Sequence, residues 1–326
     1  VIFVYDHYGI KGYLGNVGMN DQDHSYGAEG IGYMDGEYMG FSDLRIPVTD
    51  MGFQLADMCY DAIHVTDGRY FRLDDHMDRF ESFIADRGYD SLGHDRETMI
   101  RVMDGCIART GFRDAFLMLV ATRGVPASAK KDLRTCRNRL IVWATGYYAV
   151  VTDEELENGC DIIVADTIRI PEQAVDPSIK NFGRLDFVRA MSEAYEKGSQ
   201  YAVLLDGDGL VTEGRGWNIF ALTEGRLISP EKGVLEGITR RTVLELSEQL
   251  NVEATLGKLH VDALRGADEV FLTSTAGGIM PVRVIDDKPV GDGAPGPVTK
   301  RLTTLYWDLH KNPDYTTAVD YGAADA

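Results

Sequence analysis

The chain has 326 residues, of which 44% are apolar and 26% charged, an ordinary composition for a globular protein. This length is enough for about two domains with a core in each. Acidic residues outnumber basic ones by 52 to 33, which gives a net charge of −19. Because such a chain repels polyanions, a nucleic acid is not expected as a partner.

The sequence shows no sign of a membrane or secretory protein. No stretch approaches the roughly 18 uninterrupted apolar residues of a membrane span, and the first ten residues lack a cationic start followed by an apolar run. Cys59, Cys106, Cys136 and Cys160 are scattered and match neither a disulfide framework nor a metal site. We therefore expect reduced cysteines, no bound metal and a cytoplasmic location.

The first half of the chain predicts an irregular arm over residues 1–30 and a small α/β domain over residues 31–146. Two strand-like runs around Asp67-Gly68 predict a β-hairpin, because this dipeptide favours a two-residue turn. The remaining predicted segments are helices over 75–87 and 96–110, a buried strand over 115–121, a loop over 124–135 and a strand over 140–144.

The second half predicts an interdomain linker over residues 147–158 and a larger α/β domain over residues 159–326. Apolar residues at Leu185, Val188, Met191 and Tyr195 predict an amphipathic helix that buries this face. The other predicted segments are strands over 161–165, 201–205 and 269–272, a hairpin of 217–222 with 226–229, and helices over 239–250 and 298–309.

A single lysine, Lys180, stands between Ile179 and Phe182, after a strand and loop and before a helix. Apolar surroundings lower the pKa of a lysine and make its amine a usable nucleophile. The alternative is an ordinary surface lysine whose aliphatic stem covers apolar neighbours.

Two further segments carry groups that could bind a ligand. Glu213 enters a strand flanked by glycines, which allow close backbone approach, although a solvated glutamate in a turn is the alternative. Gly237 precedes a helix with Thr239 in its first turn, and Thr275 lies in a glycine-containing turn after a strand. These could form an anion site, although an ordinary cap by Thr239 and a plain polar turn are the alternatives.

Together, the three segments supply an amine that can form an imine, a carboxylate and a phosphate-binding site. Pyridoxal phosphate requires this combination, because its aldehyde, ring nitrogen and phosphate each need a partner. The combination is more specific than any one of its parts.

The order of these motifs resembles the fold-type IV pyridoxal-phosphate aminotransferases, which include branched-chain, D-amino-acid and (R)-selective amine transaminases. The similarity extends over about residues 32–310 and includes Phe71 to Arg79 in the first half. Segments 176–181 and 275–281 are most similar to the (R)-selective amine branch. The resemblance implies a two-domain fold of the D-amino-acid aminotransferase type, with a barrel-like core in the C-terminal domain.

The resemblance also implies a role for each matching residue. Lys180 would form a Schiff base with the cofactor and move the substrate proton, and Glu213 would pair with the pyridine nitrogen. The phosphate would be bound by Arg79, the backbone N–H groups of Ile238 and Thr239, and the side chains of Thr239 and Thr275. The substrate pocket would include Tyr60, Phe116, Met118 and Ala276.

Alternatives remain for several of these residues. Arg79 could form an ion pair with Asp75 on its own helix, and Tyr60 and Phe116 could serve core packing alone. A loop over residues 124–134 would cover the site, and its cations Lys130, Lys131 and Arg134 are weak candidates for binding a substrate carboxylate.

Two arginines depart from the pattern of the amine branch. Arg184 stands where relatives carry tryptophan, and Arg215 where they carry a small residue or proline. Because a guanidinium binds a carboxylate through two hydrogen bonds, one of them could recognise an amino or keto acid. Alternatively, both face solvent or pair with acids such as Asp186.

The resemblance therefore implies a homodimeric transaminase that moves an amino group from an (R)-amine or D-amino acid to a keto acid or ketone by a ping-pong mechanism. A branched-chain aminotransferase or an aminodeoxychorismate-type lyase on the same fold is the alternative. A non-enzymatic protein that binds phosphate or a vitamer is a further alternative, against which Lys180 argues.

Overall fold

The computed structural model describes residues 29–325 and organises them around two β-sheets. The predicted arm over residues 1–30 lies almost entirely outside this range. Within residues 29–325, no helix has both the length and the apolar character needed to span a bilayer.

The strands are β1 Ile31–Met34, β2 Glu37–Gly40, β3 Met58–Thr66, β4 Arg69–Phe71, β5 Ala115–Pro126, β6 Cys136–Gly146, β7 Cys160–Ile168, β8 Tyr201–Leu205, β9 Val211–Gly214, β10 Asn218–Thr223, β11 Arg226–Pro230, β12 Ala254–Gly257, β13 Glu269–Ser274, β14 Gly278–Ile285, β15 Lys288–Pro289 and β16 Thr316–Ala318. The α-helices are α1 Met51–Leu55, α2 Leu73–Arg87, α3 Arg96–Thr110, α4 Asp153–Asn158, α5 Leu185–Glu196, α6 Ile238–Gln249, α7 Val261–Arg265 and α8 Pro297–Leu309.

The first sheet has seven strands in the order β16-β4-β3-β5-β6-β1-β2. The predicted hairpin is present as β3 and β4, and both turn residues, Asp67 and Gly68, adopt positive φ as this type of turn requires. The predicted loop over 124–135 begins later than expected, because β5 continues to Pro126 and pairs with β6 across a bulge.

Helices α2 and α3 form at their predicted positions and cover one face of the first sheet. Their apolar stripes contribute Met77, Phe80, Met103 and Ile107 to a single core with the strands. Each fully buried side chain of this size stabilises the fold by roughly 1.5–3 kcal/mol. Asp95 accepts a hydrogen bond from the N–H of Thr98 and so fixes the start of α3.

The second sheet follows the order β12-β11-β10-β13-β14-β7-β8-β9, with β15 attached to β14, and curls into a half-barrel. Strands β7, β8 and β14 run parallel to one another, whereas β10, β11 and β13 form antiparallel pairs. This mixed α/β architecture is the predicted fold class.

Helix α5 forms where predicted, but the prediction of its buried face is wrong. Leu185, Val188 and Tyr195 are exposed, whereas Phe187, Ala190 and Ala194 pack against β7 and β8. The physical reason is size, because small alanines let the helix approach the sheet closely. A pattern of large apolar residues does not detect such a face.

The segments that join and close the two sheets differ from the simple two-part prediction. The predicted linker over 147–158 contains helix α4, which Thr152 and Glu155 start with a reciprocal capping box. At the other end of the chain, β16 pairs with β4 and returns the polypeptide to the first sheet. The division at residues 146 and 159 remains a prediction.

Candidate active site

Lys180 lies between β7 and α5 and is attached by its backbone to the first sheet. The N–H of Tyr60 on β3 donates to the carbonyl of Lys180 over 2.9 Å, and Cys59 forms an isolated β-bridge with Asn181. Lys180 is therefore fixed at the junction of the two sheets, after a strand and loop and before a helix, as the sequence predicts.

The surroundings of Lys180 favour a neutral amine. Burial lowers the pKa of Lys180, and the nearby cations Arg184 and Arg79 lower it further against the opposing effect of Tyr60. The amine nitrogen lies 4.7 Å from the centre of the Tyr60 ring. For Tyr60, burial alone would raise the pKa, but the charges of Lys180 and Arg184 outweigh it and lower the pKa. Lys180 thus has the environment of an amine nucleophile.

Glu213 on β9 is buried, and both of its carboxylate oxygens are held. One oxygen accepts from Arg169 over 3.2 Å, and the other accepts from the N–H of Leu235 over 2.9 Å and from Asn218 over 3.3 Å. Burial raises the pKa of Glu213, while Arg169, Arg184 and Lys180 oppose that shift. The carboxylate is therefore fixed in orientation and lies within the electrostatic reach of Lys180.

Arg169 and Asn218 are partners of Glu213 that the sequence did not reveal. Arg169 follows β7 and lies 44 positions before Glu213, so nothing in the local sequence connects the two. Asn218 also donates to the carbonyl of Leu235 over 2.9 Å, which ties Glu213 to the segment before α6. An arginine directly after a largely apolar strand is the one signal that could have drawn attention to Arg169.

The start of α6 has the properties of an anion site. The N-cap of α6 is Gly237, which has no side chain that could cap the helix. The alternative, in which Thr239 is the capping residue, is therefore wrong. The first N–H groups of the helix, at Ile238 and Thr239, have no intrahelical acceptor and carry the positive end of the helix dipole. The hydroxyl of Thr239 lies 3.5 Å from that of Tyr306. The Tyr306 ring also packs against Gly278, next to the turn that contains Thr275.

Arg79 approaches the same site from the first sheet. Its Nε and Nη2 each donate to Asp61 over 2.8 Å, and its Nη1 donates to the carbonyl of Glu236 over 3.1 Å. Since an arginine has five N–H donors, these contacts leave others for an anion. Asp75 instead pairs with Arg72 and Arg241, so the alternative Arg79–Asp75 ion pair is wrong.

A cleft of about 650 Å³ opens between α2, residues 176–179 and the start of α6. Arg79, Gly237 and Ile238 are among the residues that line it. Arg79 from the first half of the chain and the N-terminus of α6 from the second are thus accessible from one opening.

The predicted substrate-pocket residues cluster on one face of the first sheet. Cross-strand partners share a face, so the pairing of Ala62 with Met118 and of Tyr60 with Val120 places Tyr60 and Met118 on the same side. Phe116 and Ala276 form a small apolar cluster with Ala62, and Met118 packs against it. This cluster joins the first sheet to the turn after β13.

The two arginines that depart from the pattern of the amine branch lie in different parts of the structure. Arg184 is half-buried, donates to the carbonyl of Asn181 over 2.6 Å and lies 5.3 Å from the centre of the Tyr60 ring. The acid proposed as its partner, Asp186, pairs with Arg169 instead. Arg215 is exposed and lines a separate cavity of about 150 Å³ with residues of α5.

The loop cations are exposed. Lys131 donates to Gln54 over 2.7 Å, and Arg134 pairs with Asp132 in its own turn. Lys130 is exposed at the tip of the same loop.

The donor set fits pyridoxal phosphate. An amine of lowered pKa, a fixed buried carboxylate and an anion site made of helix N–H groups, the Thr239 hydroxyl and an arginine correspond to the aldehyde, ring nitrogen and phosphate of that molecule. Glycines keep the walls open, because a Cβ at Gly237 would lie 2.1 Å from Asn218 Oδ1.

Comparisons with known proteins agree with this fit. The family model described as amino-transferase class IV matches residues 58–285. A protein of Methanocaldococcus jannaschii, named provisionally as a branched-chain-amino-acid aminotransferase, is 32% identical over 85% of this chain and 95% of its own length. The D-alanine aminotransferase of Bacillus licheniformis is 31% identical over 83% of this chain and 93% of its own.

The fold is also similar to that of solved structures. The branched-chain amino acid aminotransferase of Escherichia coli superposes with a TM-score of 0.84 and 25% sequence identity, over 89% of this chain and 99% of that structure. A second branched-chain amino acid aminotransferase, solved with pyridoxamine 5'-phosphate, superposes with a TM-score of 0.82 and 26% identity, over 89% of this chain and 98% of that structure.

Proposed function

The chain belongs to the class IV aminotransferases, which use pyridoxal phosphate, and we propose that it moves an amino group from a D-amino acid or (R)-amine to a keto acid. The observation that carries this proposal is the meeting of Lys180, Glu213 and the N-terminus of α6 at the junction of the two sheets.

In this proposal the cofactor, when bound, supplies an aldehyde that captures amines and a ring that withdraws electrons. Lys180 Nζ is the amine that would hold the aldehyde, and it would also carry the proton to and from the substrate α-carbon, a role that a lowered pKa favours. Glu213 would hold a proton at the ring nitrogen. The phosphate would be held by Arg79, Ile238, Thr239 and Thr275, which would fix the ring in place.

The choice of donor rests on Arg184. Its guanidinium is half-buried beside Tyr60, and no ion pair connects it to a carboxylate among residues 29–325. A partly buried cation without a counter-ion is costly, so the site favours a substrate that brings a carboxylate. The D-alanine aminotransferase relatives support a D-amino acid as that substrate.

A branched-chain amino acid is the second candidate. It is supported by the name of the archaeal relative and by the similarity to branched-chain aminotransferase structures. The apolar cluster of Phe116, Met118 and Ala276 would suit an aliphatic side chain equally well.

The first experiment is an absorbance spectrum of the holoprotein before and after each of four donors: D-alanine, L-leucine and the two enantiomers of 1-phenylethylamine. Bleaching of the yellow band by D-alanine supports the proposal, and bleaching by (R)-1-phenylethylamine extends it to plain amines. Bleaching by L-leucine alone would replace it with the branched-chain candidate. No yellow band after incubation with pyridoxal phosphate would refute the role of Lys180.

Substitution of Arg184 tests the carboxylate directly. Arg184→Gln should raise KM for amino acids by tenfold or more on loss of a charged hydrogen bond of about 1.5–3 kcal/mol, with little effect on plain amines. The matched control is Arg189→Gln, an exposed arginine on α5, the helix that begins directly after Arg184, and Arg215→Gln tests the other candidate. An unchanged KM in Arg184→Gln would remove it from the site.

We also propose that the protein is a cytoplasmic homodimer, as the resemblance implies. Light scattering of the purified protein tests the oligomeric state. A monomer that retains full activity would contradict the proposal.

A further inference from the structure

Three buried ionisable side chains form a row of ion pairs that ends at Glu213. Asp186 on α5 accepts from Arg169 Nη1 over 2.5 Å, and Arg169 Nη2 donates to Glu213 over 3.2 Å. All three residues are buried, and the guanidinium lies 4.4 Å from the centre of the Phe187 ring. Asp186 lies in the first turn of α5, the helix that follows Lys180. The ion pairs therefore also connect the segment that carries Lys180 to β9, the strand that carries Glu213.

The net charge of these three side chains determines how strongly the site attracts a protonated ring nitrogen of the cofactor. Arg169 with Glu213 alone would be a neutral pair, and a neutral pair attracts a protonated ring nitrogen only weakly. Asp186 takes up the charge of Arg169, which leaves one net negative charge among the three side chains. In a water-poor site this charge is little screened.

On the basis of the proposed function, we infer that Asp186 is a positioning residue that acts through Arg169 to keep the three side chains net negative toward the ring nitrogen of the cofactor. Asp186 does not need to touch the cofactor for this role. Its remaining contacts are structural: it accepts from the N–H of Ile170 over 3.0 Å and from its neighbour Phe187 over 2.9 Å. These two bonds end on different carboxylate oxygens, so an asparagine, which has one acceptor oxygen, can keep the bond from Ile170 but not also the bond from Phe187. The effect of charge is therefore separated from this structural loss by comparing two ligands that differ only in the group Glu213 would meet.

The test compares two ligands that differ at one atom. The apoprotein is titrated with pyridoxal phosphate and with its analogue in which carbon replaces the ring nitrogen, and the dissociation constants are measured by equilibrium dialysis. Asp186→Asn should weaken binding of pyridoxal phosphate on the order of tenfold, the scale of effect expected when one nearby charge is lost at an effective dielectric constant of about 20. It should leave binding of the carbon analogue almost unchanged.

The matched control is Asp161→Asn, which removes a carboxylate that pairs with Arg283 at the surface. It should bind both ligands as the wild type does. If Asp186→Asn does not fold, Asp186→Ser gives a second neutral side chain with an acceptor for Ile170 N–H.

Three results would overturn the inference. Equal weakening of both ligands would make Asp186 purely structural, and no weakening of either would remove it from the site. Wild-type protein that binds both ligands equally would overturn it without any variant. Wild-type protein that binds neither would instead refute the proposed function, so the two failures are distinguishable.

Discussion

Replacement of Asp61 by asparagine tests whether a buried ion pair holds Arg79 in the site. Asp61 is fully buried on β3 and accepts three hydrogen bonds of 2.8 Å, two from Arg79 and one from His76. Burial alone would raise the pKa of Asp61, but Arg79 and His76 outweigh it and hold the pKa well below its usual range.

The expected loss is large because the substitution leaves a guanidinium buried without its partner. Removal of one member of a buried ion pair costs about 3–5 kcal/mol, a substantial share of the roughly 5–15 kcal/mol that stabilises a typical domain. Urea unfolding at pH 7 should therefore show that loss in the free energy of unfolding of Asp61→Asn. Affinity for inorganic phosphate should fall as well, because Arg79 loses its orientation.

Asp78→Asn is the matched control on the helix that carries Arg79. Asp78 pairs with Arg96 at the surface and keeps 68% of its side chain exposed, so its loss should cost less than about 1 kcal/mol. A cost for Asp61→Asn within about 1 kcal/mol of the wild type would refute the reasoning, since it would show that the pair contributes no more than a surface contact.

Three further predictions follow from single contacts. Gly237→Ala places a Cβ 2.1 Å from Asn218 Oδ1 and should weaken pyridoxal phosphate binding, and unchanged affinity in a dialysis titration would contradict it. Burial lowers the pKa of His310 from 6.5 to about 4, so the unfolded chain binds its proton first and stability falls as the pH drops between these values. In His310→Phe the loss of stability between pH 7 and pH 5 should shrink by on the order of 2 kcal/mol in thermal unfolding, and an unchanged loss would exclude His310 as the cause. Thr152→Ala removes the capping box with Glu155 and should cost about 1 kcal/mol by urea unfolding, whereas a neutral effect would show that α4 does not depend on it.

Local patterns were sufficient for most of the secondary structure. The Asp67-Gly68 turn and the periodic faces of α2 and α3 depend on neighbours in the sequence, and the structure confirms each of them. The buried face of α5 was missed because the fit of Ala190 and Ala194 against the sheet is a tertiary effect that apolar periodicity does not encode.

The candidate site shows the same division. Lys180 and Glu213 stood out because a charged side chain among apolar or glycine neighbours is unusual locally. Arg169, Asn218 and Asp61 did not, since each acquires its role only when folding places it against a partner distant in sequence. The sequence pattern therefore predicts the residues that would react with or bind the cofactor. The residues that hold them in position are identified only from the three-dimensional structure.

The return of β16 to β4 has a consequence for synthesis. The N–H of Asp320 donates to Asp104 on α3 over 3.2 Å, and Arg109 donates to the carbonyl of Ala323 over 2.8 Å. Since the ribosome makes the chain from its N-terminus, β4 has no partner on this side until β16, about 250 residues later, has been synthesised. Until β16 emerges, the open edge of β4 is a place where a nascent chain could pair with a neighbour instead.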